Sequence, residues 1–451
     1  MFQSYRNNFP YFIYKSYSIN RTNTSLQAEF HFDLAGKFFF NPVIEIPARS
    51  FYDFDALGNN LLENLVFQIG MVELISYWKT ACPPKVIIRS GHLNDEQIGW
   101  WKKLYFNGLG EFFYLNGIET DRETFMEISS EGSSFPVSDL PLDSQKVLVP
   151  IGGGKDSVVS LEILKNSDFH VLPFILNPRE ASVRTLTIAG FDQDNSIILN
   201  RTLDKELLKL NEQGFLNGHT PFSALLAFTS ALAALASRAK YIALSNENSA
   251  NQSTVPDSEI NHQYSKSLEF ENDFSEYLKR YVHNGLHYFS FLRPLNELQI
   301  AALFSEYPQH FKSFRSCNVG SKTDSWCGHC PKCLFTYIIL SPFLDAETLN
   351  EIFQKDILAD RSLLPVFKEL TGLVEVKPFE CVGTPQEVKA ALWKLRSPAT
   401  GKPALVEDFK YVYQSLDDAD FDKLLLHLST EHNLPEPFFK LLNTSFNERK
   451  V

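Results

Sequence analysis

Two short stretches hold residues whose types and spacing could do chemistry. In IGGGKDS, Ile151 to Ser157, three glycines stand where an apolar run, VLVPI, gives way to a helix-like pattern, SVVSLEILK. Gly152, Gly153 and Gly154 would let backbone N–H groups approach an anion closely, since a side chain there would fill the anion's volume. A helix N-terminus just beyond adds a favourable dipole. Lys155 can supply a point charge, Ser157 a hydroxyl donor, and Asp156 either a helix cap or a magnesium ligand. The chemistry indicated is the holding of a phosphate or diphosphate. In the second stretch, SCNVGSKTDSWCGHCPKC, Cys317, Cys327, Cys330 and Cys333 are separated by nine, two and two residues. Four thiolates fill a tetrahedral zinc site and leave no open position, so a structural Zn2+ is expected and His329 is surplus to it.

A third group could move protons. Cys381 lies in FECVGTPQE ahead of a helix-like pattern, and a helix N-terminus lowers a thiol's pKa. His219 in NGHTPFSA, His262 and Tyr264 in NHQYSK, and Glu247 are further candidates for acid or base. Each also has a plainer reading, as a small buried hydrophobe for Cys381 or a turn residue for the histidines. Cys82, before two prolines, is read as structural, and the Trp100–Trp101 pair as core.

These residues need elements to position them. VLVPI, HVLPFIL, SIILN and KYIALS alternate with helical patterns, which predicts an α/β fold with a parallel sheet covered on both faces. In such a sheet, ligands lie beyond the carboxyl ends of the strands. Asn246, Glu247, Asn248 and Asn251 follow KYIALS at that end and are expected to bind substrate, as are Lys266 and Arg293. Arg179 and Arg184 are further possible oxyanion clamps, and backbone groups of Phe174 to Asn177 are assigned to adenine. The Ser- and Pro-rich stretch 127–145 reads as a linker. Residues 1–140 then form an N-terminal α+β domain, 141–342 the nucleotide-binding domain with the cysteine loop at its end, and 343–451 a mainly helical region.

Composition narrows the class. The chain has 451 residues and a net charge of −12, which argues against nucleic acid as a partner. No signal-peptide h-region is evident, and the apolar stretch Ala224 to Ala236 is too short for a bilayer, so no membrane partner is expected. Six cysteines, four of them clustered, suit a metal in a reducing compartment, and a cytoplasmic location is expected.

IGGGKDS is neither a Walker A loop nor a GxGxxG fingerprint. It resembles the PP-loop of the ATP pyrophosphatases, S-G-G-x-D-S, with Ile151 where that family often has Ser; Gly154 and Lys155 would compensate for the missing hydroxyl. The resemblance implies an adenine nucleotide alpha hydrolase-like fold that splits ATP between its α and β phosphates and transfers AMP to a substrate oxygen. A similar zinc loop accompanies the PP-loop in the 7-cyano-7-deazaguanine synthases, which makes a nucleobase-modifying ligase or thiolase the competing expectation. An ATP-binding regulator is a third. Other segments weigh differently: SNENSANQS, NHQYSKSLEFE, FLRPLNELQIAALF, KPFECVGT and WWKKLYFNGLGEFFY resemble the MurL-type UDP-N-acetylmuramoyl-L-alanyl-L-glutamate epimerases over nearly the whole chain. This resemblance implies an ATP- and magnesium-dependent isomerase of peptidoglycan biosynthesis. Its substrate would be UDP-MurNAc-L-Ala-L-Glu, inverted at the terminal glutamate through an acyl-adenylate with release of AMP and diphosphate. Cys381, His219, His262 and Asp156 would be its catalytic residues.

Overall fold

The structure, a computed structural model, describes residues 2–49, 51–255, 260–395 and 404–448. The alternation in SLQAEFHFDL becomes β2 (Ser25–Leu34), where Leu26, Ala28, Phe30 and Phe32 point inward at the period of two that a strand requires. It pairs antiparallel with β1 (Tyr11–Arg21), β3 (Phe38–Phe40) and β4 (Val43–Pro47). Beyond β1 the sheet continues in parallel through β5 (Lys85–Ile88) and β6 (Glu127–Ser130). The expected linker 127–145 therefore opens with a strand, because Ile128 has an apolar site to fill and β5 offers a free ladder.

Five parallel strands form the other part: β7 (Asp143–Pro150), β8 (His170–Leu176), β9 (Ile197–Thr202), β10 (Ala239–Leu244) and β11 (His287–Ser290). Their spatial order is β11-β10-β7-β8-β9, so the winding reverses between β7 and β10. The crevice at such a reversal is where an open α/β sheet accepts a ligand. The expected α/β class with a mostly parallel central sheet is what the chain adopts. Successive residues of these strands face different apolar clusters. Leu148, Leu172 and Ile242 join the aromatic cluster shared with the N-terminal strands, whereas Val147, Val171 and Ala243 join the one built with the C-terminal helices. Burial on both faces explains the near-continuous apolar runs.

On the first face lie two helices that are apolar nearly all round, Gly58–Trp78 and Phe222–Ala236, packed against each other. The second, at 15 residues and about 22 Å, is the buried helix expected over Ala224 to Ala236. No described helix is long and apolar enough to cross a membrane. The other face is covered by helices Lys155–Leu164, Glu297–Ser305, Pro331–Leu340, Pro385–Lys394 and Glu436–Asn447. The last of these stacks Phe438 on Phe169, ring centroids 4.3 Å apart.

The two sets of strands make one sheet because β9 pairs antiparallel with β4, Ile44 opposite Arg201. Arg201 secures the junction with its guanidinium, which forks onto the Glu73 carboxylate (Nη2 to Oε2, 2.7 Å) and donates to Ser76 Oγ at 3.1 Å. Glu73 is buried, so loss of its cation would strand a charge in the core. Arg201→Met is expected to lower unfolding free energy by about 3–5 kcal/mol in a urea titration. Arg49→Ala, at a pair whose Asp194 carboxylate is 91% exposed, should stay within about 1 kcal/mol. Equal effects at the two positions would mean that the buried fork does not hold the junction.

Candidate active site

The glycine loop leaves β7 at the winding reversal, and its glycines answer to three different constraints. Gly153 has φ +84°, and a Cβ there would lie 2.6 Å from Ser182 N and 2.7 Å from Ala181 C, so only glycine fits. Its carbonyl accepts from Arg315 N at 2.8 Å, which ties the loop to the segment leading into the cysteine cluster. Gly154 is the extended N-cap of the Lys155–Leu164 helix. Gly152 is exposed, and a Cβ added to it would meet nothing within 4 Å. The protein's own packing therefore makes no demand at Gly152, whose missing side chain leaves space outside the loop. Ser157 Oγ accepts from Gly153 N (3.1 Å) and donates to Gly154 O (2.9 Å), closing the loop on itself.

Behind the loop, Lys155 is buried and its ammonium lies 2.5 Å from Asp156 Oδ1 and in contact with the Glu297 carboxylate. Burial opposes the charge on Lys155, but Asp156 and then Glu297 hold its pKa above the ordinary lysine range. Glu297 begins the Glu297–Ser305 helix, which Asn296 caps. Its N–H donates to Glu387 Oε1 at 2.7 Å, and Glu387 also accepts from the Thr384 N–H (2.5 Å) and hydroxyl (2.6 Å) in the capping box of the next helix. Glu247, at the carboxyl end of β10, is buried as well; burial raises its pKa against the pull of Lys266. Glu297 is raised further, by burial first, despite Lys155.

The third part of the cluster gathers residues far apart in sequence. Lys266 Nζ is 3.1 Å from Cys381 Sγ. His262 donates Nδ1–H to Glu111 Oε2 at 2.5 Å, and its ring and the Cys381 thiol act on each other's charge. His219 Nδ1 is 3.6 Å from that carboxylate oxygen, and the two imidazole rings are 4.5 Å apart. Their acidities are pushed apart. Burial, then the neighbouring His262, lowers His219 to about 4. For His262, burial is overcome by its bonds to Cys381 and Glu111, which raise it to about 9. Burial would raise the Cys381 thiol, but Lys266, followed by Lys332 and His262, holds it well below its usual range. The nearest following helix begins only at Pro385 under a Thr384 cap, so the charge on Cys381 is stabilised chiefly by Lys266 and not by the expected helix terminus.

The structure thus brings together Asp156, Lys155, Glu247, Lys266, Cys381, His262 and His219. Other expected residues serve as supports. Arg293 is fully buried: Nη1 donates to Glu247 O at 2.6 Å, and Nη2 to Lys266 O at 2.5 Å and to Glu271 Oε2 at 3.1 Å. Its fork holds the two segments that carry Glu247 and Lys266. Asn246 Nδ2 donates to Ser290 Oγ (2.9 Å), Asn248 N to Leu295 O (3.0 Å), and Asn251 Oδ1 accepts from Leu268 N (2.7 Å). Phe174 O accepts from Ile151 N, and Asn177 N donates to Leu199 O, both at 2.8 Å, so both groups are engaged in the sheet. Arg184 pairs with Asp324 of the cysteine loop, and Tyr264 is buried with its hydroxyl raised by burial. Trp100 and Trp101 donate their indole N–H groups to Asp273 O and Tyr277 OH, and Cys82 is buried with its thiol raised by burial. Sequence reasoning missed Glu297, Glu387 and Glu111. The only signal for Glu111 was a lone carboxylate in the aromatic run WWKKLYFNGLGEFFY.

The four cysteines converge. Sγ separations are 3.7 Å for Cys317–Cys330 and Cys327–Cys333 and 3.6 Å for Cys330–Cys333. These are too long for disulfides, whose sulfurs are about 2.05 Å apart. They match the edge of about 3.8 Å of a tetrahedron with metal–sulfur bonds of about 2.3 Å. Gly320 N and Gly328 N donate to Cys317 and Cys333 sulfurs, as thiolates would require, and His329 is turned away onto Cys327 O. The donor set fits zinc. The same loop reaches the Cys381 segment, since Asn318 Nδ2 donates to Glu380 Oε2 at 3.2 Å. A cleft of about 720 Å³, lined by Pro331, Glu369, Val374, Lys377 and Phe379 among others, opens along that segment.

Comparisons with known proteins agree on one family. A family model described as the MurL N-terminal domain matches residues 3–291, and one described as the MurL C-terminal domain matches residues 312–421. The UDP-N-acetyl-alpha-D-muramoyl-L-alanyl-L-glutamate epimerase of Xanthomonas oryzae pv. oryzae is 34% identical over 392 residues, covering 84% of this chain and 85% of that protein. The protein of the same name from a Micromonospora species is 33% identical over 390 residues, covering 84% and 86%. That from Salinispora tropica is 34% identical over 324 residues, 70% of each.

The glycine geometry makes a direct prediction about stability. Gly153→Ala forces a left-handed backbone and a backbone clash, and is expected to cost about 1–3 kcal/mol in thermal unfolding. Gly152→Ala should stay within about 0.5 kcal/mol of the wild type. The reverse ranking would place the structural constraint at the wrong glycine.

Proposed function

The chain belongs to the MurL family, and from that membership and the buried cluster we propose that it is an isomerase of peptidoglycan biosynthesis. It inverts the terminal L-glutamate of UDP-MurNAc-L-Ala-L-Glu to D-glutamate and converts ATP to AMP and diphosphate. The observation that carries the reading is the His219–Glu111–His262 group. It presents two imidazoles of opposed acidity on one carboxylate, joined through Cys381 and Lys266 to the carboxylates behind the glycine loop. Neighbouring groups whose pKa values are driven apart are the signature of an acid and a base.

Activation explains why a nucleotide loop stands beside such a pair. Removing a proton α to a free carboxylate would build a dianion, whereas a carboxyl group joined to AMP has lost its charge and its carbonyl can accept the electron pair. The substrate carboxylate attacks the α-phosphorus of ATP, and diphosphate departs towards the backbone amides at Gly152, where the loop has open space. Asp156, one-third exposed at the loop, is the residue that would hold Mg2+, which when bound would neutralise phosphate charge. The four cysteines would hold a structural Zn2+. His219, neutral at pH 7, takes the α-proton, and His262, cationic, returns one. The UDP-muramoyl portion is assigned to the cleft along residues 374–380. A soluble nucleotide-linked substrate and the absence of a spanning helix among the described residues fit a cytoplasmic enzyme.

Incubation with ATP, Mg2+ and UDP-MurNAc-L-Ala-L-Glu in deuterated water should release AMP and leave one deuteron at the glutamate α-carbon. ADP in place of AMP, or deuterium uptake without ATP, would overturn the reading. AMP formed only with a deazapurine carboxylate and ammonia would move the protein to the nucleobase ligases.

The pH profile follows from the two histidines. His262 must carry its proton, so kcat/KM should fall as pH rises through about 9, and His219 must be neutral, so it should fall as pH drops towards about 4. A single titration near the ordinary histidine value of 6.5 would contradict the assignment.

A further inference from the structure

Proton transfer between the imidazoles leaves Cys381 without a task, although a lysine ammonium is held against its sulfur. Lys266 Nζ touches its sulfur at 3.1 Å, and the imidazole of His262, held by Glu111 at 2.5 Å, helps to stabilise its charge. A sulfur with an ammonium in contact and a carboxylate-held imidazole acting on it is an activated-nucleophile arrangement. Cys381 is also partly exposed, unlike Cys82, so an acyl group can reach it.

A second observation concerns how inversion can occur here. The His219 and His262 rings lie side by side, 4.5 Å between centroids. An α-carbon in contact with a reacting group on each side, at about 3–3.5 Å each, needs a gap of about 6–7 Å. The two imidazoles therefore cannot flank the α-carbon. They can serve it only from one side, and the activated glutamyl group must turn over between losing one proton and gaining the next without leaving the site.

We propose that Cys381 takes the glutamyl carbonyl from AMP as a thioester, and that epimerisation takes place on this acyl-enzyme. The inference rests on the activation chemistry proposed above. The Cys381 thiolate adds to the carbonyl carbon of the acyl-adenylate. A C–S bond forms, the C–O bond to phosphate breaks, and its electron pair leaves with AMP. His219 removes the α-proton and the thioester carbonyl takes up the electron pair. Turning about the single bonds on either side of sulfur presents the other face, where His262 delivers its proton. Water then adds to the carbonyl and gives one proton to His262. The C–S bond breaks, with its pair returning to Cys381. The proton on His219 and that of the new carboxyl group pass to solvent. Tethering also solves a problem that a free acyl-adenylate poses, because the activated group stays covalently bound while its stereochemistry changes.

The full-length protein is mixed with ATP, Mg2+ and UDP-MurNAc-L-Ala-L-Glu, quenched in acid within the first turnovers, and weighed intact. The expected result is an adduct of the substrate mass less one water, located on Cys381 by peptide mapping and removed by neutral hydroxylamine. Exchange of labelled diphosphate into ATP, measured in parallel, reports activation alone. Cys381→Ala should lose the adduct and the α-deuteration by at least about a hundredfold while still exchanging diphosphate. Cys381→Ser should accumulate a hydroxylamine-stable ester. Exchange and deuteration by the wild type with no adduct would overturn the thioester and leave the epimerase reading standing. Absence of both exchange and deuteration in the wild type would sink that reading itself. An adduct on another residue, or full α-deuteration by Cys381→Ala, would also refute the thioester.

Discussion

The ammonium of Lys155, shut away from water between Asp156 and Glu297, is the contact from which the rest of the site is organised. A buried cation has to be paired, and removing one partner of such a pair typically costs about 3–5 kcal/mol. The pairing fixes the glycine loop against the start of the Glu297–Ser305 helix. Glu297, through its own N–H, then engages Glu387, which caps the helix after Cys381. One ionic contact thus fixes how far the glycine loop lies from the segment that carries the thiol. The surrounding carboxylates, Glu247 and Glu297, are raised by burial.

The cysteine cluster supports the same two pieces from the other side. Arg315, just before it, donates to the glycine-loop carbonyl, and Asn318, within it, holds Glu380 beside Cys381. A metal there would act at a distance, as a clamp on two loops that have no regular structure of their own. The sheet contributes differently. Its winding reverses between β7 and β10, which opens a crevice between the glycine loop and Glu247, and Arg293 beneath it fastens Glu247 and Lys266 by their backbone carbonyls. Support from buried polar groups of this kind leaves the half-buried ends of Lys266, Cys381 and the histidines positioned by a rigid floor.

Chemistry at the site depends on environments more than on residue types. His219 and His262 have the same side chain and share one carboxylate, yet burial dominates the first and the thiolate and Glu111 dominate the second. Cys381 and Cys82 make the same contrast: Cys82 is buried with its thiol on the Lys79 carbonyl, whereas Cys381 is half-buried with a lysine ammonium in contact. Function therefore lies in which neighbours the fold delivers to each group.

The sequence by itself determined what depends on neighbours in the chain. The strand alternation, the triglycine turn before a helix, the cysteine spacing and the apolar helix 222–236 are local patterns, and each is visible because a few consecutive residues satisfy its physics. Composition and spacing were also enough to pick out Cys381, His219, His262 and Lys266 as polar groups of interest. Only the tertiary structure showed which groups surround each of them. Arg293 reads as a ligand clamp until burial shows its fork occupied by backbone, and nothing in the sequence joins Glu111 to His262, Glu297 to Lys155 or Glu387 to the Glu297 N–H, because these partners lie 151, 142 and 90 residues apart. A charge acquires its meaning from what lies within a few ångströms and from how much water remains there, and both are set by how the chain folds back on itself.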